Sequence, residues 1–226
     1  PGMHYMMGGI KTDIDGQTNL PGVYAAGECA CVSVHGGNRL GANSLLDTIV
    51  FGERSGTHAA EASRNADYVE FNVEQTVKNE EQRIQALLNR PNNGDRIANI
   101  RLGMGDSMNR NLAVYRNQEG MEETLGDLEQ LAQRFKTVPV DNKGKIFNTD
   151  LVFGLELGFM LDCAKPIVVS ALDRKDSRGA QARTDFPKRD DENWMKHLVV
   201  TKGETGAELY YSPVSITKWT PEERKY

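Results

Sequence analysis

The chain has 226 residues, 38% of them hydrophobic, and a formal charge of −5 from 27 basic and 32 acidic side chains. That is apolar material for one large domain or two smaller ones, and it offers no broad basic face of the kind that tracks a phosphate backbone, so nucleic acid is not an expected partner. No apolar run approaches the roughly 20 residues needed to cross a bilayer, and the opening "PGMHYMMGG" lacks the basic and apolar regions of a signal peptide.

The chain starts inside a patterned segment without an initiator methionine, so a piece of a longer polypeptide is expected. In "GGIKTDIDG" the alternation of Ile10, Thr12 and Ile14 before Asp15-Gly16 predicts a strand ending in a tight turn. The apolar run Val23 to Ala26 lies between Pro21-Gly22 and Gly27. It reads as a strand buried on both faces, with a helix as the alternative. Cys29 and Cys31 follow it, and with Cys163 they form no CxxC pair suited to zinc or a redox disulfide. Reduced, buried and inert thiols are expected.

The loop "CACVSVHGGNRLGAN" carries His35, three glycines and Arg39, and a helix is expected to start at Asn43 or Ser44, with Ser44 and Asp47 in the capping pattern S-x-x-D. Composition shifts near "RNADYVEFN" from glycine-rich to long amphipathic stretches. Further helices are predicted at about 74–89, 95–116, 121–136 and 148–173; four helices with short connections suggest an antiparallel bundle. The dense charges of "DRKDSRGAQARTDFPKRDDE" read by default as a solvated, salt-bridged face, the alternative being a packing surface. "KHLVVTKGETGAELYYSPV" reads as a hairpin. The expected fold is thus α/β. Residues 1–64 form the first domain, a helical bundle domain covers 65–175, and a C-terminal extension with the hairpin covers 176–226.

A strand, a glycine loop and a helix start make a plausible ligand site, since ligands of open parallel sheets sit beyond the carboxyl ends of the strands. Glu28, at the end of the expected strand, is placed to accept hydrogen bonds from a ligand hydroxyl. The N–H groups at Asn43 and Ser44 can hold an anionic group. Arg39 has no acidic neighbour in sequence and suits a bidentate carboxylate or phosphate contact, or is a surface arginine. His4 and His35 are each either a hydrogen-bonded structural residue or a ligand-binding one.

Together "HYMMGGI", "TNLPGVYAAGE", "VSVHGGNRLGANSLLDTIVFG" and "SRGAQARTDFPKRDDENWMKH" resemble, in order and spacing, the succinate dehydrogenase/fumarate reductase flavoprotein family, nearest the dehydrogenase flavoprotein subunit of respiratory complex II. The resemblance implies that His4 hydrogen-bonds a substrate carboxylate and that Arg39 grips the dicarboxylate. It implies that Gly8 and Gly9 let the backbone approach the flavin, that Glu28 binds FAD, and that Asn43, Ser44 and Leu45 meet the flavin at the helix start. The resemblance also implies that residues 1–64 are the end of a Rossmann-like FAD-binding domain, and the implied reaction is succinate oxidation to fumarate by hydride transfer to FAD. The proton-transfer arginine and the covalently flavinylated histidine would lie upstream, leaving no catalytic residue to assign here.

Implied partners are an iron–sulfur subunit, then membrane anchor subunits and quinone. The implied location is peripheral, on the cytoplasmic face of a bacterial inner membrane, with the mitochondrial matrix side as the alternative. Gln181 departs from the family pattern, which shows histidine there. Fumarate reductase is the nearest rival, then L-aspartate oxidase, against which Met6-Met7 counts. A non-catalytic helical docking module is the reading from another class.

Overall fold

The computed structural model describes residues 4–67, 70–204 and 206–222. Positions 68 and 69, inside the composition shift, and 205, inside the hairpin turn, lie outside the described residues. Seven segments organise the site: β1 (Ile10–Lys11), β2 (Ala30–Cys31), α1 (Asn43–Asn65), α2 (Val73–Leu88), α3 (Ile97–Asn111), β3 (Tyr115–Arg116) and α4 (Gln118–Phe135). They are followed by α5 (Thr149–Asp173), β4 (Ala182–Arg183), the short α6 (Asp191–Trp194) and the hairpin β5 (Lys196–Lys202) and β6 (Ala207–Pro213).

The helical part holds the core. Ile97, Ile100 and Met104 of α3, Met121, Leu128 and Leu131 of α4, and Leu157, Leu161 and Val168 of α5 are all buried in one cluster. The spacings of three, four and seven residues within these sets put them on one stripe of each helix. The helices run antiparallel: Ser107 of α3 meets Thr124 and Asp127 of α4, while Asp95, just before α3, pairs with Arg134 at the end of α4. Phe135 then lies against Gly158 of α5, where a Cβ would come within 3.2 Å of the ring. The expected bundle is therefore present; α2 joins it through its last turn, where Leu87 is buried. Asn72, Asn117 and Asn148 start α2, α4 and α5 by accepting a hydrogen bond from the backbone N–H three residues on, each such cap being worth about 1 kcal/mol.

Three expectations for the first 65 residues are corrected. Val23–Ala26 is extended but not a strand buried on both faces: Tyr24 makes a single antiparallel bridge to Gln17, and Val23 is exposed. No flanking strands enclose it among the described residues. The paired strand comes after a 3-10 turn at Gly27–Cys29, where Ala30–Cys31 runs parallel to Ile10–Lys11. At α1, Ser44 does not cap; Ala42, at φ 64°, precedes the helix and gives it no side-chain cap. Asp47 faces inward as the one buried residue of α1, already engaged elsewhere. Cys29 and Cys163 are exposed and Cys31 half-buried, all three as free thiols, so the expectation of buried thiols fails: Cys29 sits in the irregular turn and Cys163 on an outward position of α5.

Two further corrections concern the C-terminal half. The helix expected to reach residue 116 stops at Asn111, because Tyr115–Arg116 pairs in parallel with Ala182–Arg183. The charged stretch is a packing surface, not a solvated face. Asp176 and Arg183 are essentially fully buried. Arg183 makes a bidentate contact with Asp185 at 2.8 and 2.7 Å, and its Nη1 donates to the carbonyls of Ala171, Leu172 and Arg174 at the end of α5. One guanidinium thus satisfies three otherwise orphaned helix-end carbonyls and places positive charge at the negative pole of α5. The expected hairpin is present, with Lys196 opposite Pro213 and Lys202 opposite Ala207.

Candidate dicarboxylate and flavin site

The first and second sequence blocks converge on Tyr5. Its hydroxyl donates to Oδ2 of Asp47 at 3.2 Å and lies 3.5 Å from Nε2 of His35, which itself donates to the same carboxylate oxygen at 2.8 Å. The Nδ1 of His35 is buried without a hydrogen-bond partner. Burial first, then the Asp47 carboxylate, raise the Tyr5 phenol above its ordinary pKa, so it stays protonated and donating at neutral pH. The Arg39 guanidinium covers the Tyr5 ring with its carbon 4.7 Å from the centroid.

Arg39 has no carboxylate partner among the described residues. Its Nη1 donates to the carbonyl of Leu40, and its Nε is buried without an acceptor. A half-buried cation whose N–H groups are mostly uncommitted is poised for an anionic ligand, because leaving it unpaired is costly. His4 is exposed and directly precedes Tyr5 in the chain.

The residues expected near the cofactor gather next to this group. The backbone N–H of Met6 donates to Oε1 of Glu28 at 3.0 Å, tying the "HYMMGG" segment to the Gly27–Cys29 turn. Gly8 and Gly9 have φ of 104° and 132°, and a Cβ on Gly9 would fall 2.5 Å from the carbonyl oxygen of Cys29, so only glycine brings these two backbones together. The turn packs on the first turns of α1, where a Cβ on Gly27 would face Thr48 at 3.7 Å. Asn43, Ser44 and Leu45 form the uncapped start of that helix.

The charged C-terminal segment closes the opposite side of the Arg39 loop. The N–H of Ala180 donates to the carbonyl of Gly37 at 2.9 Å, and a Cβ on Gly179, at φ 58°, would sit 2.1 Å from the same oxygen. Arg178, paired with Asp176 and Asp191, packs its side chain over Gly37. Farther along the loop, Ser33 lies 2.7 Å from Nε2 of His197 on β5. Burial, together with nearby Arg174 and Lys11, lowers the pKa of His197 and keeps it neutral. Tyr5 and the Gly37–Gly179 contact were not evident from sequence. Asp47 was singled out only as a capping candidate, and no periodic signal links it to residues 5 and 35.

Comparison with known proteins decides the family. Residues 101–226 match the model of the fumarate reductase flavoprotein C-terminal region, and residues 1–45 match an FAD binding domain. The chain belongs to the fumarate reductase/succinate dehydrogenase flavoprotein family.

Among its relatives, the fumarate reductase flavoprotein subunit of Mycobacterium tuberculosis is 43% identical over all of this chain and 40% of its own length. The succinate dehydrogenase flavoprotein subunit of Rickettsia conorii is 40% identical over 98% of this chain and 39% of its own. A quinol–fumarate reductase structure with menaquinol superposes with a TM-score of 0.89 at 40% identity, covering 97% of this chain and 38% of that one. The chain thus spans about two-fifths of the length of the relatives it matches. The family is one of FAD-binding oxidoreductases, and the residues present fit the cofactor: the glycine backbone at Gly8-Gly9 is open on one side, the α1 start is uncapped, and the buried Nε of Arg39 lacks an acceptor. Among the described residues no helix is long and apolar enough to cross a membrane.

Proposed function

We propose that this chain supplies the substrate-clamping and flavin-facing half of an FAD-dependent enzyme that interconverts succinate and fumarate. Arg39 binds one carboxylate through two parallel N–H donors, and His4 hydrogen-bonds the second. Gly8, Gly9, Glu28, Asn43, Ser44 and Leu45 hold the cofactor; bound FAD supplies the hydride-accepting chemistry. Tyr5, Asp47 and His35 exclude water from behind the guanidinium, in a region where its charge is less screened. No residue of this chain is assigned a proton-transfer role. The single observation that carries the reading is the Arg39 guanidinium, stacked on the Tyr5 ring without a carboxylate partner among the described residues and with a buried donor that has no acceptor.

Succinate oxidation is the direction proposed, with electrons leaving through an iron–sulfur subunit to membrane anchor subunits and quinone, because reduced flavin needs a carrier within tunnelling reach. The corresponding location is peripheral on the cytoplasmic face of a bacterial inner membrane. Fumarate reduction is the second reading, favoured by the fumarate reductase names of several relatives. The test is turnover by the complete enzyme in both directions, with Arg39→Lys beside the wild type. The lysine keeps the charge but loses the bidentate fork, and kcat/KM for succinate is expected to fall about 10²-fold. Unchanged turnover removes Arg39 from the clamp.

A further inference from the structure

We propose that Tyr5 is a positioning residue: its ring face sets the plane of the Arg39 guanidinium, and Asp47, through the Tyr5 hydroxyl, holds the ring in place. This rests on the reading of Arg39 as the dicarboxylate clamp.

A guanidinium presents its donors usefully only if its plane is fixed, and Arg39 has little else to fix it. Among the described residues its one hydrogen bond goes to the carbonyl of Leu40, its own neighbour in the chain, and no ion pair holds it. The Tyr5 ring, 4.7 Å from the guanidinium carbon, is the remaining restraint. Cation–π attraction favours a guanidinium over the ring, and that placement leaves the planar edge of N–H donors free for a carboxylate.

The ring is itself restrained. Asp47 is 5% exposed and accepts from both the Tyr5 hydroxyl and His35. His35 also meets the Tyr5 ring edge-on, with centroids 5.4 Å apart. A carboxylate that accepts from a phenol leaves the π face more electron-rich and a better seat for a cation. The line from Asp47 through Tyr5 to Arg39 thus alternates negative, polarised and positive groups, and α1, which carries Asp47, anchors it.

The experiment measures malonate dissociation constants by flavin absorbance on the complete holoenzyme, with FAD content and thermal midpoint as controls. Tyr5→Leu is expected to weaken malonate about tenfold, and Tyr5→Phe less than threefold. Phenylalanines of rising fluorine content at position 5, which keep the shape and drain the π face, should weaken it stepwise. Tyr5→Leu should add no further loss in an Arg39→Ala background, because the two residues act as one unit.

A flat response to fluorination, or an additive Tyr5→Leu effect in the Arg39→Ala background, would overturn the positioning role while leaving the clamp intact. Malonate binding unaffected by Arg39→Ala alone would overturn the clamp reading instead, and the positioning role with it.

Discussion

At the scale of single residues, the site is assembled from side chains whose partners are remote in sequence. His4 is exposed and makes no hydrogen bond among the described residues, so its removal should disturb packing little. His4→Ala in the complete enzyme is expected to weaken succinate or malonate binding by about tenfold, the loss of one charge-assisted hydrogen bond, with a smaller effect on kcat. Equilibrium titration of the flavin spectrum checks this, and an unaltered affinity would contradict the assignment. His4, Arg39 and Glu28 could be nominated from sequence because they occur in recognisable blocks. Tyr5 and Asp47 could not, because a tyrosine beside a histidine and an aspartate three residues after a serine both have ordinary local explanations. Only the fold brings positions 5, 35 and 47 together.

At the scale of elements, helices were the legible part. α2, α4 and α5 start within a few residues of the expected positions, because an asparagine cap and an apolar stripe are both written locally. Strands were not, since Ile10–Lys11 and Tyr115–Arg116 are two-residue pairings defined by partners elsewhere in the chain. The charged segment was misjudged for a related reason: a run of charges shows nothing of which members turn inward. Arg183 does, and Arg183→Ala is expected to cost about 3–5 kcal/mol, since it strips three helix-end carbonyls and leaves Asp185 unpaired. Denaturant unfolding should show it. Gly179→Ala combines a left-handed backbone with a Cβ directed at the Gly37 carbonyl, so it should lower the melting temperature and raise the KM for succinate together, through the Arg39 loop. A raised KM with unchanged melting, or the reverse, would separate the contact from the site.

At the scale of the whole molecule, the ion-pair cluster of the charged segment makes stability depend on acid. Hydrogen bonds from Arg183 hold the Asp185 carboxyl at about 2, below its ordinary 3.8, and Arg189 and Arg178 do the same for Asp191, also at about 2. A carboxylate with a depressed folded pKa stabilises the protein fully above its unfolded value and progressively less below it. Stability of the complete enzyme should therefore be flat above about pH 5 and fall between pH 4 and pH 2. Asp185→Asn should be less stable at neutral pH and show a shallower acid slope, which thermal melts across that range would reveal. The apolar core, by contrast, lies almost entirely in the helical part, and among the described residues before α1 only Ala25 and Ala30 are buried hydrophobics. The first 65 residues are thus shaped by hydrogen bonds, glycine contacts and one inward aspartate more than by oil-like packing. Hydrophobic patterning accordingly said least about the region where the ligands are proposed to bind.

The seam between Gly37 and Gly179 has a temporal consequence. A ribosome delivers the loop bearing Arg39 long before it delivers the turn on which that loop rests, so the loop cannot settle until the segment carrying Gly179 has emerged. Chains terminated before that turn would carry every conspicuous motif of the first 64 residues and still lack the support under the proposed clamp.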